Sequence, residues 1–341
     1  MAQISITILG LDRASTSVGL ALRRYTKAGG AHTFDVVGYE PNQREIEKTA
    51  QSSGAVDRTE RSLTTAVKDR DLIIMAMPYE ETRSTYQLMG KHLRDGAVIL
   101  DFSPLKRPSM QWAQEFLSAQ QHWIGATPII NPAYLFQVEQ GAAQAKADLF
   151  DQSSLILTPS ATCAKEAVDL AFSFAAILGS KPRFLDPLEH DTFLGMTEGL
   201  PALLGVALFA QLQSNPAWHD LQWFTNSTFG TLTRPLFDTH PDALREEWLG
   251  NRDVLTRAID EMVTTLQSVR QVVAANDSDA VDALLDKTSR GYEAWINHRY
   301  HADWDASATE MPRVEAGHSF MGALLGTRLA NRFFGGKKDE K

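Results

Sequence analysis

Short apolar segments alternate with amphipathic segments along the first half of the chain. Most of the apolar segments are rich in β-branched residues and lack polar alternation, which is typical of parallel strands buried on both faces. The predicted strands cover residues 4–9, 33–39, 72–76, 97–102, 123–126 and 154–157. The predicted helices between them cover residues 18–27, 43–52, 63–68, 81–93, 110–120 and 163–178. This order predicts a Rossmann-like α/β fold with a doubly wound parallel sheet.

The pattern changes after Pro187, where strand-like segments stop. Residues 188–213 are apolar on nearly every face of a helix, which predicts a buried helix. Further predicted helices cover residues 242–249, 252–275, 278–294 and 317–334. We therefore predict a Rossmann-like domain at 1–186, an all-helical domain at 187–334 and a disordered tail at 335–341. Because a small domain covers such an apolar helix poorly, we also predict a homodimer through the helical domain.

Composition and charge narrow the class of protein. Of 341 residues, 43% are hydrophobic and 22% are charged, which is ordinary for globular domains. The net charge of -9 argues against a nucleic-acid partner, because phosphate contacts need a basic face. The single cysteine, Cys163, rules out an internal disulfide and a multi-cysteine metal site, and we expect it in the core.

The apolar segments also bear on location. The N-terminus enters a predicted strand without a basic region or a cleavage site, so we expect no targeting segment. The longest strongly apolar run, residues 200–210, is shorter than the ~20 residues that span a bilayer. We therefore expect a cytoplasmic protein with no membrane partner.

The segment ITILGLDRASTSVGLALRR, residues 6–24, begins like a phosphate-binding turn but lacks G-x-G-x-x-G. Gly10 can make the first bend, and Asp12 stands where the second glycine would be if nothing is inserted. If about three residues are inserted at 12–14, the loop is enlarged, and hydroxyls or amides of the residues after the insertion would bind the phosphate. Those predicted cofactor-binding residues are Ser15, Thr16 and Ser17. The alternative is a plain loop in which Ser or Thr caps the helix.

Glu40 ends the second predicted strand, where an acid binds the adenosine ribose and repels a 2′-phosphate. This favours NAD as the cofactor, while Arg44 leaves NADP possible. The spacing from Gly10 exceeds the usual ~20 residues, and an insertion at residues 26–33 accounts for the difference. The alternative is a solvated loop acid.

Several motifs then follow in a recognisable order. They are DVVGYEPN, AVKDRDLIIMAMPYEET, LDFSPLKRP, WIGATPIINP, LEHDTFLGMTEGLPALLGVAL, STFGTLTRP and EEWLGNRD. Their succession, from about residue 4 to residue 270, resembles the prephenate/arogenate dehydrogenase family of tyrosine biosynthesis. The resemblance implies oxidative decarboxylation of a small carboxylate substrate, with hydride transfer to a nicotinamide cofactor.

The resemblance also implies roles for individual residues. Met77 and Pro78 would flank the nicotinamide, and Ser103 would bind the reacting hydroxyl, unless it is only a turn serine. Arg234 would hold a substrate carboxylate through its guanidinium fork, with a salt bridge as the alternative. Lys106 would add positive charge near the substrate, although it also fits an exposed lysine.

The chain departs from the family at two histidines. Thr127 stands for the histidine of the family's G-x-H-P turn, and Gly199 for that of its S-H-L-P segment. A threonine hydroxyl can donate or accept a hydrogen bond, but it is not a base near pH 7. Loss of a positioned acid–base group typically lowers the reaction rate about 10²–10⁴-fold. His190 is expected to be structural, and no metal is expected at His298 and His301.

Three hypotheses for function remain open. The first is a prephenate dehydrogenase-type enzyme, in which Ser103 and Thr127 contact the reacting group. The second is a divergent dehydrogenase or reductase that acts on another small acid. The third is a dinucleotide- or metabolite-binding protein without turnover, because fold alone does not decide activity.

Overall fold

A computed structural model describes residues 2–137 and 139–301 of the protein. These residues form two compact units, of which the first ends at Pro187 and the second begins at Leu188. The predicted helix at 317–334 and the predicted disordered tail at 335–341 lie outside the described residues.

An eight-stranded sheet with helices forms the first unit and confirms the predicted Rossmann-like fold. The spatial order is β3-β2-β1-β4-β5-β6-β7-β8. The strands are β1 Ala2–Leu9, β2 His32–Tyr39, β3 Arg58–Thr59, β4 Leu72–Met75, β5 Val98–Asp101, β6 His122–Pro128, β7 Ser153–Pro159 and β8 Ser180–Phe184. Two of them, β3 and β8, were not predicted, because β3 is only two residues long and β8 contains Lys181, Pro182 and Arg183.

One pair of neighbouring strands is antiparallel. All adjacent strands pair parallel except β6 and β7, where Ala126 lies opposite Leu157. A parallel connection needs a crossover of a dozen or more residues, usually a helix packed on the sheet. The described part of the β6–β7 connection instead contains the short 3₁₀ turns Pro132–Tyr134 and Ala142–Gln144. The prediction of a wholly parallel sheet was therefore wrong at this pair.

Both faces of the sheet are covered by helices, which explains the continuous apolar strands. Ile4, Ile6 and Ile8 face the cluster that contains Val18 and Leu22. Leu9, Ile73 and Met75 belong to a second cluster, with Tyr86 and Met89. The helices of this unit are α1 Arg13–Lys27, α2 Arg44–Ser52, α3 Leu63–Val67, α4 Tyr79–Met89, α5 Lys106–Phe116 and α6 Lys165–Ile177.

The described part of the second unit is helical. Its elements are α7 Pro187–Leu194, a π-helical turn Gly195–Gly199, α8 Leu200–Gln213, α9 Trp218–Leu221, α10 Ser227–Thr233, α11 Pro235–Asp238, α12 Pro241–Gly250, α13 Arg252–Ala274 and α14 Ser278–His301. Within α8 only Leu200 and Gly205 are buried, so the prediction of a buried helix was wrong for a single copy of the chain. The reason is that the described elements of the second unit cover this helix only in part.

The run Pro187–Gln213 is continuous over 27 residues, and its most apolar window has a mean hydropathy of 1.6. By length and composition this run could cross a membrane, which the shorter apolar stretch at 200–210 did not suggest. One such helix is weak support for a membrane span, because core helices of soluble proteins can be equally long and apolar.

Candidate active site

Sheet topology brings the carboxyl ends of β1, β2, β4, β5 and β6 to one edge of the first unit. Ligands of doubly wound sheets bind beyond this edge, near the point where strand order reverses, here between β1 and β4. The predicted site residues at or just after these strand ends are Gly10, Glu40, Met77, Pro78, Ser103 and Thr127. They therefore share one edge, whereas Arg234 belongs to the second unit.

The turn between β1 and α1 has a fixed geometry at Gly10. This residue has a φ of +82°, and an added Cβ would lie 2.2 Å from the carbonyl oxygen of Ala76, which follows β4. Farther along, a Cβ on Gly19 would lie 2.2 Å from the carbonyl oxygen of Ala55. Both glycines therefore allow close approach of main chain, as glycines do in dinucleotide-binding turns.

The turn is short, so the predicted enlarged loop was wrong. Helix α1 begins at Arg13, five residues before the predicted start at residue 18, and Asp12 is its N-cap. The carboxylate of Asp12 accepts a hydrogen bond from the amide of Ser15 at 2.7 Å. Because this contact satisfies an otherwise unpaired helical amide, the helix starts here and no insertion is present. Asp12 thus occupies the position of the second glycine.

The three predicted phosphate-binding hydroxyls point into the protein. Ser15, Thr16 and Ser17 are fully buried. The Ser15 hydroxyl donates to the carbonyl of Gly10 at 2.8 Å, and the Ser17 hydroxyl donates to that of Arg13 at 2.7 Å. The Thr16 hydroxyl is buried without a hydrogen-bond partner. A phosphate role for the Ser15 and Ser17 hydroxyls is therefore not supported, because both are used within the first turn of α1.

Asp12 and Glu40 place two carboxylates beside this turn. The Asp12 side chain is exposed yet closely surrounded by protein atoms, and this desolvation raises the pKa of its carboxyl. The Glu40 carboxylate accepts hydrogen bonds from the amides of Leu11 at 3.2 Å and Asn42 at 3.4 Å. Burial raises the pKa of Glu40, and the charge of Glu81 adds to the effect. Glu40 thus faces the turn, as its predicted role in binding a ribose requires.

At the end of β5, Lys106 is not the exposed or substrate-facing cation that the sequence suggested. Its side chain is fully buried. Its ammonium donates to the main-chain carbonyls of Asp101 at 2.8 Å, Ser103 at 2.6 Å and Ala126 at 3.1 Å. The predicted substrate contact by Lys106 was therefore wrong, because the ammonium group is held by the loop and by β6.

The Asp101 carboxylate organises the same loop from the other side. It accepts hydrogen bonds from the Tyr86 hydroxyl at 2.7 Å, the Trp123 indole at 3.0 Å and the Ser103 amide at 2.7 Å. Burial raises the pKa of Tyr86 well above its usual value, so Tyr86 acts only as a hydrogen-bond donor at neutral pH. The sequence did not predict this network, because its members lie on α4, β5 and β6 and share no local pattern.

Ser103 itself lies at the buried end of the edge. Its side chain is 2% exposed, and its hydroxyl lies 3.4 Å from that of Thr82 on α4. Thr127 is half-buried in β6, opposite Ile156 of β7. On α4, one carboxylate oxygen of Glu80 is buried without a hydrogen-bond partner, a feature that the sequence did not predict. The described residues at this edge thus offer hydroxyl and carboxyl groups, and position 127 carries a threonine hydroxyl in place of an imidazole.

In the second unit, Arg234 joins α10 to α11. Its guanidinium donates to the carboxylate of Asp238 at 2.6 Å, one helical turn ahead. His190 is buried beside Asp191, with 3.0 Å between ring nitrogen and carboxylate oxygen, which fits its expected structural role. Among residues 2–137 and 139–301, no group of three or more potential metal ligands occurs.

Comparison with known proteins gives a consistent result. The nucleotide-binding domain model of prephenate dehydrogenase matches residues 18–182, and its dimerization domain model matches residues 186–287. Prephenate dehydrogenase of Bacillus subtilis is 24% identical over 298 residues, which are 86% of this chain and 76% of that protein. Cyclohexadienyl dehydrogenase of Zymomonas mobilis is 21% identical over 278 residues, which are 80% of this chain and 90% of that protein.

Solved structures show the same fold. Prephenate dehydrogenase of A. aeolicus, crystallised with hydroxyphenyl propionate and NAD+, superposes with a TM-score of 0.71 at 20% identity. The alignment covers 86% of this chain and 99% of that one. Synechocystis arogenate dehydrogenase gives a TM-score of 0.63 at 20% identity, over 86% and 100% of the two chains. The nucleotide-binding match begins at residue 18, after the altered turn.

Proposed function

This chain belongs to the prephenate dehydrogenase family, and from that premise we propose that it is an NAD-dependent prephenate or arogenate dehydrogenase. The reaction would be the oxidative decarboxylation of a cyclohexadienyl carboxylate, which places the protein in tyrosine biosynthesis. The observation that carries the proposal is the shared edge at which Gly10, Glu40, Ser103 and Thr127 lie. NAD, when bound, would supply the hydride acceptor.

The residues of the turn fit a dinucleotide in most respects. Gly10 gives the bend beside β4, and Gly19 lets α1 pack against the main chain at Ala55. Glu40 would accept hydrogen bonds from the ribose hydroxyls, and its negative charge disfavours the 2′-phosphate of NADP. Met77 and Pro78 follow β4 and would flank the nicotinamide. Asp12 does not fit, because its carboxylate accepts from a helix amide at the start of α1.

For the substrate, we propose three contacts. Ser103 and Thr127 offer hydroxyls that would hydrogen-bond the reacting group from β5 and β6. Neither hydroxyl is a base at neutral pH, so they would orient the substrate without removing its proton. Arg234 would bind a substrate carboxylate in exchange for its present pairing with Asp238, since a guanidinium matches a carboxylate bidentately.

The test is a direct assay of the full-length protein with NAD and either prephenate or arogenate, followed at the absorbance of reduced cofactor. The proposal predicts turnover with at least one of the two substrates. NAD binding without turnover on either would favour the other candidates, an enzyme for another small acid or a binding protein. The threonine at position 127 favours those candidates, because the family resemblance places a histidine there.

A Thr127→His variant sharpens the assay. If the chain acts on a prephenate-type substrate, the restored acid–base group should raise kcat by about 10²-fold or more. Thr65→His serves as the control, since it places a histidine at an exposed threonine of α3 that is none of the proposed site residues. A folded Thr127→His variant with unchanged kcat on both substrates would contradict this use of position 127.

For assembly, we propose a homodimer formed through the helical unit. The match to the dimerization domain supports it, as do exposed apolar side chains on that unit. Examples are Phe193 at 51%, Trp223 at 79% and Phe237 at 87% exposure. Light scattering after gel filtration should give twice the 37.8 kDa of one chain. We expect the dimer in the cytoplasmic fraction of cells, and recovery from membranes would instead favour insertion of Pro187–Gln213.

A further inference from the structure

We propose that Asp12 sets the affinity of this protein for dinucleotides, because its carboxylate lies at the start of α1, where a bound pyrophosphate would lie. The inference rests on the proposed function, since it concerns the same cofactor site. It makes Asp12 an internal competitor of the cofactor's phosphates. Asp12 is thus an affinity-determining residue, distinct from the residues that hold the substrate.

The first step is positional. With α1 beginning at Arg13, the turn from Gly10 has the length of an ordinary dinucleotide-binding turn. In that turn the second glycine leaves room for the main chain to approach the pyrophosphate. Here the position is filled by the Asp12 side chain, while Gly10 and Gly19 keep the close main-chain contacts around it. The third glycine position is taken by Ser15, whose hydroxyl donates to the Gly10 carbonyl, so the change that bears on phosphate is the one at Asp12.

The second step is electrostatic. The N-terminus of a helix attracts anions through its unpaired amides and its dipole. The Asp12 carboxylate already satisfies this preference, since it accepts from the Ser15 amide at 2.7 Å. The Glu40 carboxylate accepts a hydrogen bond from the Leu11 amide at 3.2 Å, so a second carboxylate lies beside the same turn. A pyrophosphate bound at this helix terminus would compete with the first carboxylate for the Ser15 amide and would lie near the second.

The third step concerns the neighbouring cation. Arg13 is 6% exposed, and its guanidinium donates to the main-chain carbonyls of Gln137 and Glu139, both at 3.1 Å. These contacts direct its guanidinium to the β6–β7 connection. Both of these hydrogen bonds thus go to main-chain carbonyls of that connection and not to the Asp12 carboxylate.

The experiment measures NAD affinity of the full-length protein by titration calorimetry or tryptophan fluorescence, with three variants. Asp12→Asn removes the charge and retains a good N-cap, whereas Asp12→Gly also frees the amides. Asp95→Asn is the matched control, because Asp95 is exposed before the amino end of β5, at the opposite edge of the sheet. Thermal unfolding of each variant shows that it is folded.

We expect both Asp12 variants to bind NAD at least about tenfold more tightly, which equals about 1.4 kcal/mol. Asp95→Asn should bind like the unmodified protein. The gain of Asp12→Asn should shrink between 50 mM and 500 mM salt, because it comes from removing a repulsion between partly exposed charges.

Three outcomes would overturn the inference. Equal affinity of the unmodified protein and Asp12→Asn would show that the carboxylate does not compete, and the proposed function would stand. Weaker binding by Asp12→Asn would show that Asp12 contributes to binding, and the function would again stand. If neither the unmodified protein nor any variant binds millimolar NAD, both the inference and the proposed function fail.

Discussion

Lys106 offers the most direct test of how the candidate site is held together. Its ammonium group is fully buried and donates to three main-chain carbonyls, those of Asp101, Ser103 and Ala126. The first carbonyl ends β5, the second belongs to the segment between β5 and α5, and the third belongs to β6. The proposed perturbation is Lys106→Met, which retains an unbranched side chain of similar length and removes the charge and the donors.

The magnitude follows from the contacts. Each hydrogen bond to a charged group contributes about 1.5–3 kcal/mol, and buried acceptors left unpaired add to the loss. Methionine offsets part of this loss, because it avoids the desolvation of a buried ammonium. We expect a net loss of about 3 kcal/mol in the free energy of unfolding, from the balance of these effects. At about 2–4 °C per kcal/mol for a domain of this size, Tm should fall by roughly 6–12 °C.

The assay is thermal unfolding followed by circular dichroism, with Lys91→Met as the matched control. Lys91 is exposed, so its replacement should change stability by less than about 0.5 kcal/mol. The Lys106 variant should also lose turnover, because Ser103 would no longer be fixed beside β6. A Lys106→Met protein with the Tm of the unmodified chain would refute the assignment of Lys106 as a clamp on this loop.

Three further predictions concern single residues of the first unit. Gly10→Ala should lower stability by about 2 kcal/mol or more, through a φ of +82° and a clash with Ala76. Gly29→Ala, with a φ of +81° in open space, should lower it less in the same melts, and equal losses would contradict the clash. Cys163 should react slowly with a thiol reagent at pH 8 until the protein is unfolded, because burial raises its pKa to about 12; rapid modification of the native protein would count against this. Burial lowers the pKa of His122, so its contribution to stability is present above about pH 6.5 and is lost as the pH falls through its folded pKa. Urea melts at pH 7.5 and 5.5 should show a smaller pH effect for His122→Gln, and an unchanged effect would contradict it.

Much of the first unit could be predicted from the pattern of apolar residues. Strands such as β4, in which all four residues are buried, are recognisable in the sequence as continuous apolar runs. The two strands that were missed, β3 and β8, are short or polar and acquire strand geometry through their neighbours. The start of α1 was misplaced because polar residues at 13–17 resemble a loop until Asp12 caps them.

The candidate site divides in the same way. The sequence by itself determined which residues follow each strand, and hence that Gly10, Glu40, Ser103 and Thr127 share an edge. Only the tertiary structure decided the role of Lys106, because one of the carbonyls that its ammonium binds lies in β6, 20 residues away along the chain. It also decided that the serine hydroxyls after Asp12 point inward. Periodicity reports which face of an element is buried, whereas the partner of a polar group is chosen by contacts between elements, which no local pattern encodes.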